Sequence, residues 1–271
     1  MSGGGMAMNE VLKTAAGNFR VRVEGPADAP ALVFSNSLGT TLEMWDAQAE
    51  RFARTHRVVR YDTRGHGGSV VSSGPYTFEQ LGGDVVALLD ALGIARAAFC
   101  GISMGGFTGL WLGVNAPQRL ERLVVANSAA KIGTADGWTT RAAMVREKGA
   151  AGMAELAASS PGRWFTDAFA AAQPDVVRRA QGWIAGIAPE GYAGCCEALA
   201  QADLRAAIGG IAVPTLLIAG TADPVTTVAD AQAMQAAING ARVAELPASH
   251  LSNLEAPQAF DAALADFLQR D

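Results

Sequence analysis

The sequence predicts an α/β domain: a mostly parallel central sheet flanked by helices, with a helical cap inserted between two strands. Two observations point there. Short, continuous apolar runs alternate with amphipathic helical stretches along most of the chain. Those runs lack the polar residue at every second place that marks a half-exposed strand, so they suit strands covered on both faces of a parallel sheet. A third observation, that the stretch 131–205 holds no convincing strand, predicts the insertion.

Taken in order, residues 1–8 lack the basic and long apolar regions of a signal peptide and are expected to be a disordered leader. Val11-Leu12 and Phe19–Val23 flank the turn-like Ala16-Gly17-Asn18 and predict two joined strands. Further strands are expected at Ala31–Ser35, Arg57–Tyr61, Ala97–Cys100, Leu123–Ala126, Pro214–Ala219 and Arg242–Leu246. The clearest helix runs from Thr77 to Leu92. There Phe78, Leu81, Val85, Leu88, Leu89 and Leu92 recur at three- and four-residue steps, with Thr77 to cap it and Gly93 to end it. The uncharged stretch from Ala97 to Gln118 is long enough to suggest a membrane span, but five glycines and Pro117 interrupt it, favouring a buried strand followed by a buried helix. Residues 1–130 and 206–271 then form one body, and 131–205 the cap. Three of the five tryptophans, Trp138, Trp164 and Trp183, fall in that cap. It is either an extra helical layer with its own small core or a cover over the sheet's carboxyl edge, where α/β proteins bind ligands.

Composition narrows the function. The chain has 271 residues, is 50% hydrophobic and only 17% charged, which excludes a disordered or collagen-like protein. Its net charge of −5, without a basic stripe, argues against nucleic acid as a partner. Cys100, Cys195 and Cys196 cannot all pair and have no zinc-like spacing, so free thiols in a reducing, cytoplasmic setting are expected.

Gly101-Ile-Ser103-Met-Gly105 lies between the strand predicted over Ala97–Cys100 and a helical run predicted over Phe107–Val114. A serine in that turn is held on strained backbone at a helix N-terminus, whose unpaired N–H groups suit a developing oxyanion. Otherwise Ser103 would be an ordinary helix N-cap. The serine needs a base, and the chain has three histidines. His56 looks like a strand-end residue. His66, in the Gly-rich loop Asp62-Thr-Arg-Gly-His-Gly-Gly, suits a supporting place near the site. His250 follows the last predicted strand and is the candidate general base. Asp223, in Gly220-Thr-Ala-Asp-Pro after the preceding strand, is the candidate partner for its imidazole, whereas Asp230 falls within the next helix and would point elsewhere. The order Ser103, Asp223, His250 is that of the hydrolase triad. For the oxyanion, the candidate donors are the N–H of Met104 and one from the loop Asn36-Ser-Leu-Gly39, with Leu38 preferred.

These elements together, with Asn36-Ser-Leu-Gly-Thr-Thr, Met44-Trp and Asp62-x-Arg-Gly-x-Gly, resemble the α/β-hydrolase superfamily. The cap's Arg163-Trp-Phe-Thr and Glu190-Gly-Tyr-Ala-Gly-Cys-Cys-Glu-Ala-Leu are similar to 3-oxoadipate enol-lactonases. Asn36-Ser37 stands where many superfamily members have His-Gly, and Ala248-Ser249 precedes the histidine. The resemblance implies hydrolysis of a small anionic lactone through an acyl-enzyme, in the β-ketoadipate branch of aromatic catabolism, with no cofactor. Some relatives carry a fused decarboxylase domain, for which a chain ending at Asp271 is expected to leave no room, and no membrane partner is expected. The substrate carboxylate would meet a cation near the cap. Lys131, Arg141 and Arg146 are the candidates, with Trp138 as a pocket wall. A general carboxylesterase, a carbon–carbon bond hydrolase of ring-fission products, and a ligand-binding receptor with vestigial turnover are the competing readings. Serine at 103 excludes an aspartate-nucleophile dehalogenase. Oligomeric state is left open.

Overall fold

The computed structural model describes residues 8–269; the leader expected over residues 1–8 lies almost wholly outside them. Eight strands form one sheet: β1 (Met8–Thr14), β2 (Gly17–Glu24), β3 (Ala31–Ser35), β4 (Arg57–Tyr61), β5 (Ala97–Ile102), β6 (Leu120–Ala126), β7 (Thr215–Gly220) and β8 (Arg242–Leu246). Their spatial order is β1-β2-β4-β3-β5-β6-β7-β8. The first hairpin and the β2–β4 pair are antiparallel, and every pair from β4 to β8 is parallel.

Period-two alternation explains the continuous apolar runs. On one face of the sheet lie Leu32, Phe34, Ala98, Cys100, Val124, Ala126, Leu216 and Ile218. Their neighbours Val33, Phe99, Leu123, Val125, Leu217 and Ala219 face the opposite way into a second core. Both faces are covered, so neither leaves a polar imprint on the sequence.

Helices α1 (Asp46–Phe52), α2 (Phe78–Ala91) and α3 (Met104–Asn115) connect the strands up to β6. Thr77 caps α2 by accepting a hydrogen bond from Gln80 N at 3.1 Å, and Gly93 follows its end with φ +67°. Between β6 and β7 come α4 (Ala135–Lys148), α5 (Ala150–Ser159), α6 (Pro161–Trp164), α7 (Asp167–Ala172), α8 (Pro174–Ala185) and α9 (Pro189–Gln201). This insertion does not keep a core to itself. Met153, Leu156, Trp164, Ile184 and Tyr192 belong to the same apolar cluster as Leu32 and Phe34 of the sheet. The chain closes with α10 (Val228–Ala237), α11 (Ser252–Glu255) and α12 (Pro257–Gln269).

Strand ends shift by a residue or more at several places, including β5, which runs on to Ile102, and β7, which spans Thr215–Gly220; two starts differ for a physical reason. β6 begins at Leu120 rather than Leu123, because the exposed Glu121 and half-exposed Arg122 interrupt its apolar pattern. The helix after β5 begins at Met104, three residues before Phe107, since its first turn is glycine-rich and carries no periodic signal. Among the described residues no helix is long and apolar enough to cross a membrane, and the uncharged run from Ala97 folds as β5 and α3.

This topology places the site. From β3 the chain steps to β4 on one side, then returns across to β5 on the other. The loops leaving the carboxyl ends of β3 and β5 therefore diverge and leave a crevice between them, the usual ligand position in such sheets. Ser35 pairs with Gly101 across that gap, so Asn36–Gly39 and Ser103 emerge side by side.

Candidate active site

Ser103 occupies the turn from β5 into α3 with φ 56° and ψ −117°, a left-handed conformation rarely tolerated by a side-chain-bearing residue. Its backbone is held from three sides. Ser103 N donates to Ala126 O at 3.0 Å, while its carbonyl accepts from Phe107 N at 2.9 Å and from Ser128 Oγ at 2.8 Å. The flanking glycines are required by close approach: a Cβ on Gly101 would sit 2.2 Å from Gly105 O, and one on Gly105 would sit 2.3 Å from Ser35 O. Ser103 does not use its hydroxyl to cap α3. The ordinary N-cap alternative is therefore not what the strained turn serves.

His250 follows β8, and its Nδ1 lies 2.8 Å from Asp223 Oδ2. Asp223 follows β7 and is also held by Val225 N and Thr226 N on Oδ1, at 2.8 and 3.1 Å. Thr226 Oγ1 and Asn127 Nδ2 donate to its Oδ2 at 2.8 and 3.1 Å. Burial pushes this carboxyl upward, but the hydrogen bonds and charge of His250, with Asn127 and Val225, outweigh it, so its pKa is lowered from the ordinary carboxylate value. An ionised Asp223 fixes the proton on His250 Nδ1 and leaves Nε2 free as a base.

Ser103 and His250 line one cavity of about 390 Å³, together with Ser37 and Leu38 from the loop after β3. The insertion supplies the opposite wall through Trp138, Arg141, Arg163, Trp164, Ile184 and Tyr192. Arg141 lies over the Trp138 ring, 4.8 Å from its centroid, and Trp138 is anchored by donating Nε1–H to Ile132 O. Arg163 donates to Ser159 O at the end of α5. Burial, and then the nearby Arg141 cation, lower its pKa from the usual guanidinium value. Among the described residues neither arginine has a carboxylate partner. Two neighbouring guanidinium groups facing a concave site make a ready anion receptor.

Leu38 and Met104 are buried residues, and among the described residues the backbone N–H of neither donates to a protein acceptor. Buried amides are rarely left so. One sits beside the nucleophile-like Ser103 and the other on the adjoining loop, the arrangement that would receive the oxyanion of a tetrahedral intermediate.

Residues 30–257 match the model of the α/β hydrolase fold family. The chain belongs to the α/β-hydrolase family. It is 51% identical to a protein named 3-oxoadipate enol-lactonase 2 and 47% identical to one named 3-oxoadipate enol-lactonase 1, both from Acinetobacter baylyi. The alignments cover 91% of this chain and of the first relative, and 92% of this chain and of the second. The crystal structure of an enol-lactonase from Burkholderia xenovorans superposes with a TM-score of 0.92 at 44% identity, covering 95% of this chain and 98% of that one.

Within this hydrolase, the sequence-predicted Ser103, Asp223 and His250 come together at the carboxyl ends of β5, β7 and β8. Leu38, Trp138 and Arg141 line the cavity, and Met104 follows Ser103 as the first residue of α3. Lys131 and Arg146 do not line that cavity. Lys131 Nζ pairs with Asp203 at 3.4 Å and lines a separate groove, and Arg146 is engaged by Glu190 and Glu197 across α4 and α9. His56 is half-buried beside Thr55, away from the cavity. Asp230 turns back to cap α10 with Thr227. Cys100, Cys195 and Cys196 are free and buried.

Sequence reasoning missed Arg163 and Asn127. Arg163 lay within the quoted Arg163-Trp-Phe-Thr motif, but nothing in its spacing distinguished it from other helical arginines. Asn127 directly follows β6 with φ 42° and braces both Asp223 and Ser249 O. An asparagine directly after a buried strand, where left-handed backbone is tolerated, was the available signal.

Proposed function

We propose that this hydrolase opens a small carboxylate-bearing lactone, 3-oxoadipate enol-lactone, to 3-oxoadipate in the β-ketoadipate branch of aromatic catabolism. In this reading residues 131–205 act as a cap on a body formed by 1–130 and 206–271. The observation that carries it is that Arg141 and Arg163, without a carboxylate partner among the described residues, line the same cavity as Ser103 and His250. The names of the relatives near 50% identity support the same substrate.

His250 Nε2 takes the Ser103 proton as Oγ attacks the lactone carbonyl, and the Leu38 and Met104 amides receive the oxyanion. The tetrahedral intermediate collapses by breaking the ring C–O bond. The departing enolate oxygen takes its proton from His250, leaving an acyl-enzyme whose enol remains tethered through the same carbon chain. Water, deprotonated by His250, then attacks the acyl carbonyl, Ser103 leaves with the proton, and the enol tautomerises to the ketone. An enol is a better leaving group than an alkyl alcohol, so stabilising the oxyanion, rather than expelling the leaving group, carries most of the catalytic demand. Asp223 supports the imidazolium formed in each half-reaction. No step calls for a metal or organic cofactor. Arg141, oriented by the Trp138 ring, binds the substrate carboxylate, and Arg163 strengthens the local positive field.

Loss of the lactone's ultraviolet absorbance measures the activity. A charge-assisted contact to a ligand contributes about 1.5–3 kcal/mol, so Arg141→Ala should raise KM for the lactone about 10- to 100-fold. Hydrolysis of p-nitrophenyl acetate by the same variant should change little. A parallel loss on both substrates would refute the assigned role of Arg141, and a wild-type protein that prefers simple aryl esters would refute the lactonase reading.

A further inference from the structure

His66 is buried to 1% exposure in the loop after β4, yet the reaction above gives it no task. Its Nε2 lies 3.0 Å from Gly39 N, in the loop after β3. An amide N–H can only donate, so Nε2 is the unprotonated ring nitrogen. Nδ1 therefore carries the proton and donates to Arg64 O at 3.2 Å. Burial pushes the imidazole pKa down to about 4, against a smaller upward pull from the Arg64 carbonyl, so the ring is neutral at ordinary pH and keeps its Nε2 lone pair.

The loop that receives this contact carries two successive buried amides. Gly39 N–H is consumed by His66, whereas among the described residues Leu38 N–H has no protein acceptor. The rest of the loop is tied down independently. Asn36 Nδ2 donates to Tyr61 O at 2.8 Å, and Thr40 N and Oγ1 donate to Ser37 O at 3.2 and 2.8 Å. Neither of these contacts decides which of the two amides faces the cavity.

We propose that His66 is a positioning residue of the oxyanion site: by accepting the Gly39 N–H it fixes the loop so that the Leu38 N–H is presented to the cavity. The inference rests on the acyl-transfer reading of Ser103. Without the acceptor, the buried Gly39 amide would compete for any cavity oxygen and the loop would rotate to satisfy it. The effect falls on the transition state, because the ground-state carbonyl demands less of the donor than the oxyanion does.

Two variants separate this role from simple packing. His66→Asn can keep a donor near the Nδ1 position but stops short of Gly39, whereas His66→Gln places a carboxamide oxygen near the lost Nε2. Misplacing one oxyanion donor should lower kcat by about 10- to 100-fold in His66→Asn, with KM for the lactone within about threefold, and His66→Gln should recover most of it. The inhibition constant of phenylboronic acid, whose tetrahedral adduct with Ser103 presents an anionic oxygen, should weaken in step with kcat. In the 15N-labelled wild-type protein, a scalar coupling between the Gly39 and His66 Nε2 nitrogens across the hydrogen bond should be seen, which covers the case of a variant that fails to fold. Wild-type kcat in His66→Asn, equal losses in both variants, boronate affinity that does not follow kcat, or absence of the coupling would each overturn the proposal. A Ser103→Ala control distinguishes the two readings. If it is inactive while His66→Asn is unimpaired, only the His66 role fails; if it stays active, the acyl-transfer reading itself fails, and the His66 role with it.

Discussion

Asp223 has donors on both carboxylate oxygens, and that environment, rather than the residue type, makes it a suitable partner for His250. Asp223→Asn should preserve the fold but invert the tautomer of His250, lowering kcat by about 10³- to 10⁴-fold, as measured by lactone turnover at saturation. The pH dependence has a definite sign. A carboxyl whose folded pKa is lowered contributes stability above its unfolded pKa and loses it as pH falls through the folded value. The thermal midpoint of the wild type should therefore fall more steeply below about pH 4 than that of Asp223→Asn, a contrast visible in paired melting curves. The candidate catalytic residues were readable in the sequence because each stands just past an apolar strand, and three such positions leave few alternatives. The cations proposed to bind the substrate were not. Lys131, Arg141 and Arg146 all read alike as basic residues at a helix or its approach, and the acids that separate them, Asp203, Glu190 and Glu197, lie 44 to 72 residues further along the chain. His66 was placed near the site by its loop, but its contact with Gly39 spans 27 residues and two strand ends.

At the level of elements, the strand–turn–helix unit around Ser103 is the most constrained part of the fold. Gly105→Ala would drive a Cβ against Ser35 O, a backbone atom that cannot swing aside. It should lower unfolding free energy by at least about 1–3 kcal/mol in urea titration, the usual range for overpacking. Gly83→Ala is the contrast: it lies within α2 and its Cβ would meet nothing within 4 Å. It should stabilise the protein by about 0.5–1 kcal/mol through helix propensity. Equal effects of opposite design would undercut the packing account of the elbow. The same local physics explains what the sequence revealed and concealed. Strands buried on both faces were clear, and Thr77 with Gly93 marked both ends of α2. Starts with mixed signals, Leu120 behind Glu121 and Met104 in a glycine-rich turn, were not.

For the molecule as a whole, a net charge of −5 should repel an anionic substrate, while Arg141 and Arg163 concentrate positive charge at the cavity. The attraction is therefore local. Added salt should lower kcat/KM for the anionic lactone while leaving a neutral ester nearly unchanged, since screening acts over about 8–10 Å at 0.1–0.15 M. The most direct measurement compares kcat/KM of the wild-type protein for 3-oxoadipate enol-lactone and for its methyl ester, which keeps the same ring but lacks the charge. The proposed function predicts a preference for the free acid of about 10- to 100-fold or more, lost when Arg141 and Arg163 are both replaced by alanine. Equal or faster hydrolysis of the methyl ester by the wild type would contradict it.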